Sequence, residues 1–162
     1  MRLHTKSLVM EVIDNFLDDY YFKSFSRRIL GNEFPWYWSD YEGIIQFTYI
    51  FYSKPDGNMG QPNFSMLQPL LNKLRVNDLI KVKANINPQT FFHRKSGYHM
   101  DYPNMTTAIF YVNTNNGFTK FKNGTKIKSV ANRMLIFDSN MEHTAVSSTD
   151  EKRRVVINFN YG

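Results

Sequence analysis

Residues 153–161 read Arg-Arg-Val-Val-Ile-Asn-Phe-Asn-Tyr, and the alternation in this stretch organises the reading of the whole chain. In an extended strand, side chains two positions apart share a face. Arg154, Asn158 and Asn160 therefore fall on one side, with Val155, Ile157 and Phe159 on the other and Val156 as the exception. A strand covered by helices on its apolar face, and lining a cavity with its polar face, has this pattern. An arginine inside a cavity needs an anion, because an unpaired buried charge is costly. Two partners meet that need equally well: a protein carboxylate, or a bound anion gripped by two parallel hydrogen bonds from the guanidinium.

Upstream of this strand, short strands are expected at 79–86, 97–99, 106–113, 117–121, 125–129, 134–137 and 143–146. Turn signals such as Asn115-Asn116-Gly117 and Asn123-Gly124 separate them. The first half of the chain has a different period. Residues 7–13 read as a short strand. Beyond Asp14, Leu17, Tyr21, Phe25 and Ile29 recur every four residues and predict an amphipathic helix ending before Gly31. Asp14 or Asn15 suits its cap, and Asp18 and Asp19 its first turn. The run Phe34-Pro35-Trp36-Tyr37-Trp38 is too short for a helix, whereas 46–53 predicts a strand. Phe64, Met66, Leu67, Leu70, Leu71 and Leu74 mark a second helix. Two helices followed by about eight short strands predict a mainly β fold. The expected architecture is a double-stranded β-helix (a cupin-like jelly roll) with both helices on one outer face, as a single domain over residues 1–162.

Composition narrows the function. Cysteine is absent, which removes a disulfide framework and any thiolate metal site and permits a reducing compartment. No apolar run approaches the roughly 20 residues that span a bilayer, and acids interrupt the N-terminal stretch where a signal peptide is apolar. A soluble, cytoplasmic protein with no membrane partner is expected. Net charge is +6, from 20 Lys and Arg against 14 Asp and Glu, which raises the question of nucleic acid. The positive residues are scattered, however, with small groups only at Arg27-Arg28, Arg94-Lys95 and 120–128. A solvated basic surface suited to acidic partners is the plainer reading, with a nucleic-acid partner as the minor one.

Chemistry is carried by few residues. The histidines are His4, His93, His99 and His143. His99-Met100-Asp101 places an imidazole and a carboxylate at i and i+2, on one side of an extended chain, so that both reach one ion. His143 follows 44 residues later (143 − 99), near the start of another expected strand. Two imidazoles and one carboxylate on one face of an octahedral metal leave three positions open, as non-haem Fe(II) oxygenases need. Alone, His-x-Asp is a weak signal, because turns favour Asp and exposed histidines are common. His93, in a polar loop, reads as a surface residue, and His4, near a terminus, is given no role. Trp36 and Trp38 are expected to pack beneath the helices, and Asn85 is placed on the cavity side by register alone.

The second half of the chain resembles the 2-oxoglutarate/Fe(II)-dependent oxygenases, especially the small prolyl-hydroxylase-like members of phages and marine microbes. The resemblance rests on His99-Met100-Asp101-Tyr102-Pro103, Ile109 to Asn113, Asn132 to Phe137, His143, and Arg154 to Tyr161. Phe34-Pro35-Trp36-Tyr37 and the 46–53 strand fit the N-terminal part of that group. The resemblance implies that His99, Asp101 and His143 are iron ligands and that Arg154 binds the distal carboxylate of 2-oxoglutarate. It also implies that Tyr111 hydrogen-bonds the same carboxylate and that Asn158 lies near the co-substrate. Arg153 is the one-residue alternative to Arg154, and alternation favours Arg154. The implied reaction consumes 2-oxoglutarate and O2 and hydroxylates a substrate C–H, for example in a peptide proline, in a host-cell cytoplasm if the chain is phage-encoded. Two rivals remain: a cupin-like metal-binding protein that does not activate oxygen, and a basic nucleic-acid-binding module.

Overall fold

The computed structural model describes residues 10–41 and 44–162. His4 and the first part of the strand expected at 7–13 lie outside the described residues. The elements in chain order are β1 (Glu11–Ile13), α1 (Asp19–Leu30), β2 (Tyr37–Tyr41) and β3 (Ile44–Ser53). A 3-10 turn (Phe64–Leu67) then leads directly into α2 (Gln68–Leu74). After them come β4 (Leu79–Pro88), β5 (Thr106–Tyr111), β6 (Phe118–Phe121), β7 (Lys126–Lys128), β8 (Arg133–Asp138), β9 (His143–Val146) and β10 (Arg153–Tyr161). Seven strands form one sheet in the order β1-β8-β5-β10-β4-β3-β2, and three form a second in the order β7-β6-β9. Every pairing in both is antiparallel. The two sheets make the double-stranded β-helix that the pattern predicts.

β10 is the central strand, paired with β4 on one side and β5 on the other. Its apolar set, Val155, Ile157 and Phe159, joins Val82, Ala84 and Ile86 of β4 and Ala108 and Phe110 of β5. Phe25 and Ile29 of α1 and Leu70 and Leu71 of α2 belong to the same core, so both helices cover one face of the large sheet. Phe110 anchors this layer, meeting the rings of Phe22 and Phe25 edge-on at 6.1 and 5.9 Å. A second, smaller core occupies the other face. There Ile109, Tyr111, Leu135, Phe137 and Val156 of the large sheet meet Phe121 of the small one. Val156, the exception in the alternation, lies on the polar side because it packs into this second core.

Four local expectations are corrected. α1 begins later than its apolar period suggests, because Asn15 takes a left-handed backbone (φ 51°) that no helix tolerates. Asp18 caps the helix instead, accepting the Tyr21 N–H at 3.0 Å. Part of the aromatic run becomes β2, an edge strand, and Trp38 stays 60% exposed with its ring edge-on to Phe47 rather than under the helices. Trp36 does pack against the core, beside Phe34. Finally, residues 97–99 form no strand, although isolated bridges tie Lys95 to Val146 and His99 to His143. His99 and His143 exchange backbone hydrogen bonds, each N–H donating to the other's carbonyl at 3.0 Å. This segment therefore lies along the edge of the small sheet as an incomplete fourth strand.

Candidate functional site

His143 opens β9 and His99 is held beside it by the reciprocal bridge, so the two rings face each other with centroids 4.5 Å apart. Asp101 follows His99 and is fixed by its backbone N–H donating to the Ser139 carbonyl at 3.2 Å. One carboxylate oxygen lies 3.8 Å from His99 Nε2 and the other 3.7 Å from His143 Nε2. These separations are too long for hydrogen bonds. One ligand atom from each of the three residues lies within 4.8 Å of the other two, an arrangement in which all three can turn toward one ion. His143 Nδ1 lies 2.9 Å from the Met141 carbonyl. A carbonyl only accepts, so Nδ1 carries the proton and Nε2 presents its lone pair. Burial lowers the His143 pKa, against the raising influence of Asp101 and Met141, and so favours the neutral ring that a metal requires.

The Asp101 carboxylate is itself oriented. Thr107 Oγ1 on β5 donates to its Oδ2 at 2.8 Å, and Asn160 Nδ2 on β10 donates to Thr107 at 3.0 Å. Asn160 shares its strand face with Arg154, which has only 1% of its surface exposed. The Arg154 guanidinium donates from Nε to Ser129 Oγ at 3.0 Å, from Nη2 to Thr119 Oγ1 at 3.1 Å and from Nη1 to Asn87 Oδ1 at 3.4 Å. All three acceptors are neutral, and no carboxylate of the described residues pairs with it. Tyr111 lies alongside, with the guanidinium carbon 5.7 Å from its ring centroid and its hydroxyl 2.7 Å from Thr119 Oγ1. Burial raises the Tyr111 pKa against the opposing charge of Arg154, which keeps the hydroxyl protonated. The protein carboxylate left open as Arg154's partner is therefore absent among the described residues.

Arg153 points the other way, donating from Nη2 to the Leu30 carbonyl at the end of α1. Asn158 lies on the Arg154 face between Lys83 and Ile109, half-exposed. Asn85 shares that face, across from Val156 and Thr48. His93 is exposed and apart from the triad, its Nδ1 bonded to the Ser147 carbonyl at 2.7 Å. Sequence reasoning missed Thr107, Thr119, Ser129 and Asn87. Small polar residues in strands and their flanking turns carry no spacing signal, and only the folded sheets bring them to the site.

No protein-family model matches the chain, and no curated protein matches it in sequence. Solved structures do resemble it in fold. A prolyl hydroxylase of Trichoplax adhaerens, in complex with a hypoxia-inducible-factor peptide fragment, aligns with a TM-score of 0.70 at 14% identity, over 94% of this chain and 82% of its own. A Pseudomonas putida prolyl-4-hydroxylase aligns with a TM-score of 0.62 at 15% identity, over 94% of this chain and 91% of its own. HygX of Streptomyces hygroscopicus, with nickel and 2-oxoglutarate bound, aligns with a TM-score of 0.62 at 13% identity, over 94% and 82%. The chain therefore has the double-stranded β-helix fold found in prolyl hydroxylases and other 2-oxoglutarate/Fe(II) oxygenases.

Proposed function

We propose that the protein is a non-haem Fe(II) oxygenase that couples oxidative decarboxylation of 2-oxoglutarate, giving succinate and CO2, to hydroxylation of a substrate C–H. The observation that carries this reading is Arg154, a cation 1% exposed whose hydrogen-bond partners are all neutral. A buried charge of this kind is stable only when an anion completes it. The co-substrate supplies a carboxylate for it.

In this reading His99, Asp101 and His143 would hold the metal. The donor set of two nitrogens and one carboxylate oxygen fits ferrous iron, and the neutral His143 ring is ready to bind it. Thr107 and Asn160 keep the Asp101 carboxylate turned toward the histidines. Arg154 and Tyr111 grip the distal carboxylate, with Thr119 and Ser129 fixing the guanidinium plane. Asn158 flanks the co-substrate on the sheet. Bound iron with 2-oxoglutarate supplies O2 activation, chemistry that no side chain performs.

The fold neighbour complexed with a peptide favours a peptide or protein side chain, such as proline, as the prime substrate. A cytoplasmic setting fits the absence of cysteine. Among the described residues no helix is long and apolar enough to cross a membrane. The test is succinate formation with Fe(II), ascorbate, O2 and 2-oxoglutarate, alongside calorimetry of metal-dependent 2-oxoglutarate binding. Turnover or binding that His99→Ala removes supports the reading. A protein that binds metal yet neither binds nor consumes 2-oxoglutarate is a cupin-like metal protein, and the oxygenase reading falls.

A further inference from the structure

Lys81 and Lys83 lie on the face of the large sheet that carries Arg154 and Asn160, and neither has an ion pair among the described residues. Lys83 stands on β4 between Val82 and Ala84, which are buried toward the helices, so its own side chain takes the opposite face. Its cross-strand neighbours there are Asn158 on β10 and Ile50 on β3. Lys83 is half-buried and has no hydrogen bond or ion pair among the described residues. The charges that bear on it are Lys81, two residues along the same face, and Asp101 of the triad. Asn85, the next residue on that face, is 7% exposed, and its Oδ1 is enclosed without a donor among the described residues. A buried polar atom without a partner is rare enough to require an explanation.

Charge balance gives the ligand its sign. Asp101 offsets Arg154, and a ferrous ion offsets the 2-oxoglutarate dianion. Each carboxylate of that dianion already has its partner, one on Arg154 and one on the metal. Lys83 remains uncompensated, and Lys81 adds to the excess rather than relieving it. A half-buried ammonium on the sheet face that also carries Asn160, whose amide supports Asp101 through Thr107, draws an anion from whatever binds against that face.

We infer that the prime substrate carries a carboxylate close to its reacting carbon, and that Lys83, flanked by Asn85 and Asn158, is the residue that reads it. The inference rests on the metal and 2-oxoglutarate reading above and narrows it to acidic substrates. Lys83 is here a specificity-determining residue, and a neutral substrate of the same shape is rejected because it leaves the ammonium unpaired.

The test uses full-length protein loaded with Mn(II) and saturating 2-oxoglutarate, without turnover, and acetate as the probe. Paramagnetic relaxation of the acetate methyl protons reports a carboxylate held near the metal. Saturable relaxation is expected in the parent, reduced about tenfold or more in Lys83→Met, as loss of a charge-assisted hydrogen bond implies. Lys83→Arg and Lys81→Met are expected to keep it, and thermal melts of each variant verify folding. Competition then separates the source: displacement of acetate by free L-aspartate indicates a small acid, and by a blocked Asp-Gly dipeptide an acidic side chain in a peptide. Equal relaxation in the parent and Lys83→Met overturns the inference, since acetate would then be meeting the metal directly. An approximately tenfold loss of 2-oxoglutarate affinity in Lys83→Met also overturns it, by giving Lys83 to the co-substrate. Failure of the parent to bind Mn(II) or 2-oxoglutarate at all sinks the underlying oxygenase reading instead, and is seen before acetate is added.

Discussion

Replacing Gly117 by alanine is expected to disable the Arg154 pocket without touching the metal. A Cβ at position 117 would lie 2.7 Å from Arg154 Cδ, 2.8 Å from Asn115 Oδ1 and 2.8 Å from the Val146 carbonyl oxygen. The carbonyl is backbone on β9 and Arg154 is fully enclosed, so neither yields easily. Restoring ordinary contact at 3.4 Å requires the Arg154 stem to retreat by about 0.7 Å (3.4 − 2.7). The same shift stretches the Nε–Ser129 hydrogen bond from 3.0 Å to as much as about 3.7 Å, beyond useful range. Losing that bond costs about 1.5–3 kcal/mol, since its donor is charged. The overpacking itself costs about 1–3 kcal/mol of stability. Calorimetry should show 2-oxoglutarate binding weakened about 10- to 100-fold while metal affinity stays within about twofold. A Gly117→Ala protein that melts lower but binds 2-oxoglutarate as tightly as the parent would refute the reasoning, because the guanidinium would not be the anchor.

Arg154→Met is expected to lose 2-oxoglutarate affinity by about 100-fold or more, whereas Arg153→Met keeps it and loses only stability through its bond to Leu30; the reverse ranking in calorimetry would show the register to be off by one. Since no acid among the described residues pairs with Arg154, its methionine variant should melt at or above the parent temperature without ligand, as buried charges replaced by apolar groups often do. Thr107→Val removes the donor to Asp101 and should lower metal affinity about 10-fold, measured by competition with a chromogenic chelator, and it should also lower the melting temperature because the buried Asn160 amide loses its acceptor. The depressed pKa of His143 means that the unfolded chain binds its proton first. The neutral ring's contribution to stability is complete above the ordinary histidine pKa of about 6.5 and is lost as pH falls from there through the lower folded value. Chemical denaturation of metal-free protein across this range should show that slope, and His143→Gln should flatten it.

The sheet layers were legible because burial imposes strict alternation. Val155, Ile157 and Phe159 against Arg154, Asn158 and Asn160 is a pattern that only a two-faced central strand produces, and the boundaries of β9 and β10 coincide with those read from it. The helix start was misread because the apolar period runs back through Leu17, while the backbone obeys the left-handed Asn15 and the cap at Asp18. His99 and Asp101 looked like the end of a strand, yet their segment pairs at only two points with β9. Their proximity to His143 came from residue chemistry and family resemblance rather than from local structure. Thr119, Ser129 and Asn87 could not be found at all, since each reaches Arg154 from a different part of the chain. The same holds for Lys83, whose lack of an ion pair among the described residues is visible only in space.

The paired backbone bonds between His99 and His143 bear on when the candidate metal site takes shape. The spacing of the two imidazoles is set as the sheet edge closes, by contacts that involve no ion. In the proposed reading a metal then enters a site whose two imidazoles already stand side by side, so the ion occupies this sheet edge rather than organising it.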